Sequence, residues 1–173
     1  MFKRGVSPVV ATVLLLVLTI VIGGVVFSAV IPFVKKSLSD SKMCLDLLEG
    51  VEFAESKFNC YNMTTPILNE TGFSIRLKKE GISGFRVALV GSSGSSDVYD
   101  IKSGVTIPVM RMVGAGQTGY NKALEFPSVG GQRSYVVNKS YSKAELTPIT
   151  QSGEICNLAD TVEFTLCYKD VVL

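Results

Sequence analysis

A chain of 173 residues with 17 basic and 15 acidic side chains and no histidine offers little charge to a polyanionic partner, and no imidazole for a nucleophilic triad or the common metal sites. The net charge of +2 is unevenly placed: Met1 to Met43 hold five bases and one acid (+4), leaving 12 bases and 14 acids (−2) from Cys44 to Leu173. That balance gives no electrostatic footprint for DNA or RNA. A Ser-Lys dyad is the remaining route to an activated nucleophile, but the serines and lysines are scattered without a distinctive setting. The expectation is a protein that is not an enzyme and takes no cofactor, no metal and no nucleic acid.

Taken in chain order, the first element is the most informative. Val6 to Val34 are 29 consecutive residues without a charge. As a helix they would be about 43 Å long, whereas a bilayer core of about 30 Å needs about 20 residues. The apolar region of a cleaved secretory signal is about 7 to 15 residues, so this run is too long for that reading. Ser7 can cap the helix, with Pro8 at its first position where a missing N–H costs nothing. Gly23, Gly24, Ser28 and Ala29 are small enough for neighbouring helices to approach closely, or are glycines and small residues that any membrane helix tolerates. Pro32 should kink the helix or mark its exit from the apolar layer, with a polar continuation to about Lys42.

The order Lys3-Arg4-Gly5 followed by Val6-Ser7-Pro8-Val9-Val10-Ala11-Thr12-Val13-Leu14 resembles the processing site of archaeal type IV pilins and the related archaellins. The resemblance implies a prepilin peptidase that cuts on the cytoplasmic side between Gly5 and Val6, with Lys3 and Arg4 as the basic flank. It divides the chain into a leader at 1–5, a hydrophobic helix at 6–43 that is transmembrane in the precursor and in the core of the filament later, and a head at 44–173 on the outer surface. It also implies partners: further copies of the chain in a homo-oligomeric filament, the peptidase, a pilus assembly platform and the membrane. Lys35 and Lys36 on the far side of the apolar run prevent the positive-inside rule from orienting the chain alone; the resemblance places the N-terminus in the cytoplasm. The best-known bacterial pattern has glutamate at the fifth mature position, where this chain has Val10, so stem packing would be apolar throughout. An uncleaved single-span anchor carrying an extracellular binding head is the alternative.

Beyond Cys44 the hydrophobic period changes to two. Phe73, Ile75 and Leu77 alternate with Ser74, Arg76 and Lys78; Phe85, Val87 and Leu89 alternate in the next run; Val162, Phe164, Leu166 and Tyr168 alternate near the end. These patterns predict half-buried strands. Further strands are expected at 45–53, 58–62, 105–113, 134–137 and 145–149, separated by Gly-, Ser- and Pro-rich breaks. Seven or eight short strands suit a single immunoglobulin-like β-sandwich, making the whole chain α+β. Gly114 to Gly119 reads GAGQTG, the letter pattern of a dinucleotide loop. The helix that must follow is stopped by Pro127, however, and no carboxylate stands between Tyr135 and Ser140, so it is read as a loop.

The four cysteines, Cys44, Cys60, Cys156 and Cys167, fit no CxxC or zinc spacing. An even number in an exported head is what two disulfides require. Of three connectivities, proximity favours Cys44 with Cys60 and Cys156 with Cys167; a tight turn at 157–160 would instead leave Cys167 too far up a return strand to reach Cys156. Three of the six asparagines, Asn62, Asn69 and Asn138, head N-x-[ST] sequons and are candidates for glycosylation, with polar loop positions as the plain alternative. Asp97, Asp100, Glu125 and Asp160 read as solvated turn and strand-end residues.

Overall fold

The computed structural model describes residues 8–62, 69–114 and 119–167. It is α+β: one long apolar helix, then two mostly antiparallel sheets. The chain divides into two compact units, Met1–Lys42 and Met43–Leu173.

The helix is continuous over Pro8–Leu48, 41 residues or about 61 Å. It consists of α1 (Pro8–Val25), a π-helical segment (Val26–Val30) and α2 (Ile31–Leu48). Pro32 brings no N–H and a ring that would strike the carbonyl four residues back. The wider turn at Val26–Val30 ends two residues before it and lets the helix run on instead of ending. The hydroxyls of Thr12, Thr19 and Ser28 each donate to a carbonyl three residues earlier, so they need no outside partner.

Helix gives way to strand later than the sequence pattern suggests. The helix ends at Leu48, not Lys42, and the strand expected at 45–53 is reduced to Val51–Phe53. Cys44 and Leu47 are buried and Leu48 half-buried while Leu45 is exposed, which is helical i, i+3, i+4 spacing and not alternation. The Gly50 amide donates to the Leu47 carbonyl and closes this end.

One sheet contains β1 (Val51–Phe53), β2 (Cys60–Asn62), β3 (Glu70–Leu77), β6 (Met110–Val113), β7 (Gln132–Val137) and β10 (Thr165–Leu166); the other contains β4 (Ile82–Val90), β5 (Ser96–Lys102), β8 (Lys143–Thr150) and β9 (Asp160–Glu163). The first runs β10-β2-β3-β7-β6 with β1 also on β3, and the second runs β5-β4-β8-β9. Among the described residues, only β10 and β2 pair in parallel. Phe73, Ile75 and Leu77 of β3, Phe85, Val87 and Leu89 of β4, Tyr135 and Val137 of β7 and Leu146 of β8 meet in one core. Within it Phe73 lies edge-on to Phe53 at 6.3 Å and tilted to Tyr135 at 5.7 Å.

β1 and β2 lie along the same edge of β3, Val51 to Phe53 against Leu77 to Ile75 and Cys60 to Asn62 against Gly72 to Glu70. The gap between them is bridged by a side chain. Asn59 accepts from the Ser74 amide at 2.8 Å and donates to the Ala54 carbonyl at 2.7 Å, while the Ala54 amide donates to the Ser74 carbonyl. A second bridge joins the sheets, with Asp160 at the start of β9 accepting from the Phe53 amide at 2.7 Å.

Three other expectations change. The run at 105–113 forms a strand only at Met110–Val113, and β5 follows a Ser-rich turn without an apolar alternation, since Ile101 alone on it is fully buried. The run at 162–168 is not one strand. β9 belongs to one sheet and β10 to the other, with Phe164 buried between them and Leu166 exposed; Tyr168 lies outside the described residues.

The disulfides join Cys44 to Cys156 and Cys60 to Cys167, not the neighbours in sequence. Val51, just past the helix, faces Leu77, whereas Cys60 faces Gly72; five residues of β3 separate them by about 17 Å. Cys156 donates its amide to the Pro148 carbonyl, while Glu163 faces Lys143 at the other end of β8 and leads on to Cys167 beside β2. Each bridge therefore closes a span of more than 100 residues, with separations of 112 and 107.

Candidate functional site: the apolar stem and the sequon-bearing end of the head

The stem, taken alone, is an apolar surface without cover. None of Pro8–Val25 is buried, and Val9, Leu14, Phe27 and Phe33 are about 65 to 75% exposed. The helix is long and apolar enough to cross a membrane. A Cβ added at Gly23 or Gly24 would meet nothing within 4 Å, so within one chain these glycines relieve no crowding. Val10 is exposed like its neighbours. Lys3, Arg4, Gly5 and Val6, with Ser7, lie outside the described residues.

In the head, the register gathers all three sequon asparagines at one end of the first sheet. Asn62 closes β2 and faces Glu70; Asn69 immediately precedes β3; Asn138 immediately follows β7, whose Val137 faces Thr71. Asn69 and Asn138 are exposed and Asn62 is half-buried. The rest of the Asn62 sequon, Met63 and Thr64, lies outside the described residues.

The two complete sequons differ in their hydroxyls. Thr71 is fully buried; its Oγ1 donates to the Lys139 carbonyl at 2.8 Å and accepts from the Tyr141 amide at 2.9 Å. Ser140 is half-buried and lines an open cavity of about 150 Å3 with Tyr61, Ser92, Tyr141 and Ser142. Thr71 is thus committed to the fold, and Ser140 is on its surface.

Two polar clusters brace this end. Glu70 is paired with Arg111 at 3.3 Å and accepts from the Tyr120 hydroxyl at 2.6 Å, with the Arg111 guanidinium 5.5 Å from the Tyr120 ring centre. Burial, and then the Glu70 carboxylate, push the Tyr120 hydroxyl up to about 12. Asp97 on β5 accepts from Lys139 at 2.6 Å and from the Tyr141 hydroxyl at 2.7 Å. These two bonds, Lys139's the larger, hold the Asp97 carboxyl below its usual range, while burial and then the bond to Asp97 push the Tyr141 hydroxyl well above its own.

The four carboxylates expected at solvated turns and strand ends do keep contact with solvent, Glu125 exposed and Asp97, Asp100 and Asp160 part-exposed, and each also has a partner. Asp100 takes both Arg86 bonds across β4 and β5, at 2.7 and 2.8 Å, and is held low by them; Glu125 is paired with Arg133; Asp160 and Asp97 make the bonds given above. The Arg86 pair follows directly from the register of β4 and β5, in which Arg86 faces Asp100. The Asp97–Lys139 and Asn59–Ser74 pairs depend on contacts between distant segments and leave no local signal. Among the described residues, no group of three or more His, Cys, Asp or Glu side chains is placed to hold a metal ion.

These features define a chain with a membrane-competent apolar helix at its N-terminal end and a two-sheet head whose two disulfides suit an oxidising environment outside the cytoplasm. No family model and no curated protein matches it.

Proposed function

We propose that the chain is a structural subunit of an archaeal type IV pilus-like surface filament. A prepilin peptidase cleaves it after Gly5, its stems leave the membrane to pack in the filament core, and its heads form the outer surface. The head is read as an immunoglobulin-like β-sandwich, which the two sheets and their shared core support. The observation that carries the reading is the stem: its uncharged stretch exceeds a bilayer's needs, is apolar on every face, and begins directly after Lys3-Arg4-Gly5. An anchor needs a lipid-facing surface only for the thickness of the bilayer. A stem surrounded by other stems needs one over its whole length.

Val30→Asp separates filament from anchor. Val30 lies near the head-side end of the uncharged stretch and is 48% exposed in the single chain. In an anchor its carboxylate can reach the interface, whereas among packed stems it would be buried unpaired, at a cost of several kcal/mol. The variant is expected in the membrane fraction at normal abundance, with no filaments by electron microscopy in cells lacking the wild-type chain. Filaments at wild-type number would favour the anchored binding protein.

A further inference from the structure

We propose that Asn69 and Asn138 carry N-linked glycans side by side on one end of the head, and that Asn69 receives its glycan before the head folds while Asn138 accepts one afterwards. The inference rests on the head being translocated out of the cytoplasm, as the filament reading requires. Both asparagines are exposed, and each is within two residues of the paired Thr71 and Val137. The modification sites of two segments far apart in sequence are thus brought to one place by the register of β3 and β7.

The order follows from the hydroxyls. A sequon is defined by the Ser or Thr two residues after the asparagine, so the transferring enzyme must reach that group as well as the amide. In the folded head Thr71 is closed to it by complete burial and by its bonds to Lys139 and Tyr141. Ser140 opens on the cavity beside Tyr61 and Ser92. In the transfer itself, the asparagine amide nitrogen attacks the anomeric carbon of a lipid-phosphate-linked oligosaccharide. A C–N bond forms as the C–O bond to phosphate breaks, the lipid phosphate leaves with the bonding pair, and the amide loses one proton to a base. At Asn69 this geometry is attainable only while β3 is unpaired from the 139–141 segment.

The test uses the full-length chain, produced without glycosylation, held in detergent with both disulfides formed, and given an oligosaccharyl transferase with its lipid-linked oligosaccharide. Unstructured peptides covering residues 66–77 and 135–143 serve as reference acceptors, and site occupancy is read by glycopeptide mass spectrometry. Asn138 of the folded chain should react at a rate comparable with its peptide. Asn69 should react at least roughly 1000-fold more slowly than its own, as the small unfolded fraction of a stable protein dictates. Reaction of Asn69 in the folded chain at its peptide's rate would overturn the order. Protein taken from its own cells should carry glycans at both positions. Bare asparagines there with intact disulfides would overturn the glycans and leave the head outside the cytoplasm; bare asparagines with free thiols would overturn the translocation on which the inference rests.

Discussion

Replacing Asn59 with alanine would strip the Ser74 amide and the Ala54 carbonyl, both on fully buried residues, of their partners. A buried polar group left unpaired costs about 1 to 3 kcal/mol, so Asn59→Ala should lower the thermal midpoint of the head by several degrees. Asn59→Asp keeps an acceptor for the Ser74 amide but sets a carboxylate oxygen against the Ala54 carbonyl, and should be no more stable than Asn59→Ala. An Asn59→Ala midpoint equal to the wild type would show that the bridge adds nothing to β3. Asp97 makes the corresponding statement about pH. Its carboxyl is held below the ordinary value of 3.8 by Lys139 and then by Tyr141, so at acid pH the folded head binds this proton less readily than the unfolded chain. The stability it contributes is present above about pH 4 and is lost as pH falls through the depressed value. Denaturant midpoints measured from neutral to acid pH should decline less steeply in Asp97→Asn than in the wild type. Equal slopes would place the acid sensitivity elsewhere, with Asp100 as the next carboxylate held low by an arginine.

Among the elements, the strands with an alternating apolar pattern were legible in the sequence: β4 and β8 bury alternate residues along most of their length, and β3 sets Phe73, Ile75 and Leu77 into the core, although its other face is buried too, except at Arg76. β5 left no such trace because it lies at the edge of its sheet with Val98 facing solvent. The end of the helix was missed because Cys44, Leu47 and Leu48 form one inward stripe too short to establish a period. The disulfide pairing was hidden for a different reason. It is decided by which end of β3 and β8 each segment reaches, and that is a property of the assembled sheets. Since Cys60–Cys167 ties β2 to the segment just after β10, and β10 is only two residues long, the bridge rather than the short ladder holds this edge. Losing a native disulfide costs about 2 to 5 kcal/mol. Cys60→Ser with Cys167→Ser should lower the denaturant midpoint accordingly and speed hydrogen exchange at the Cys167 amide, which donates to Tyr61. Unchanged exchange there would mean that β10 stays paired without the bridge.

At the scale of the whole molecule, stem and head have opposite surface chemistry. The head buries its large aromatic and aliphatic side chains, whereas the stem leaves Val, Leu, Ile and Phe exposed along its length. Burying one such side chain contributes about 1.5 to 3 kcal/mol, so the stem must be covered by lipid before assembly and, on the filament reading, by other stems afterwards. That transfer requires a mature chain freed of its charged leader, because Lys3 and Arg4 would otherwise sit at the inner end of every stem. The direct measurement is the N-terminal residue of the chain recovered from the cell surface, obtained by sequencing subunits of sheared filaments. A filament subunit should begin at Val6, with the leader through Gly5 removed and the apolar stretch intact. A chain that keeps Met1 and is found only in the membrane fraction would contradict it and leave a single-span anchor in its place.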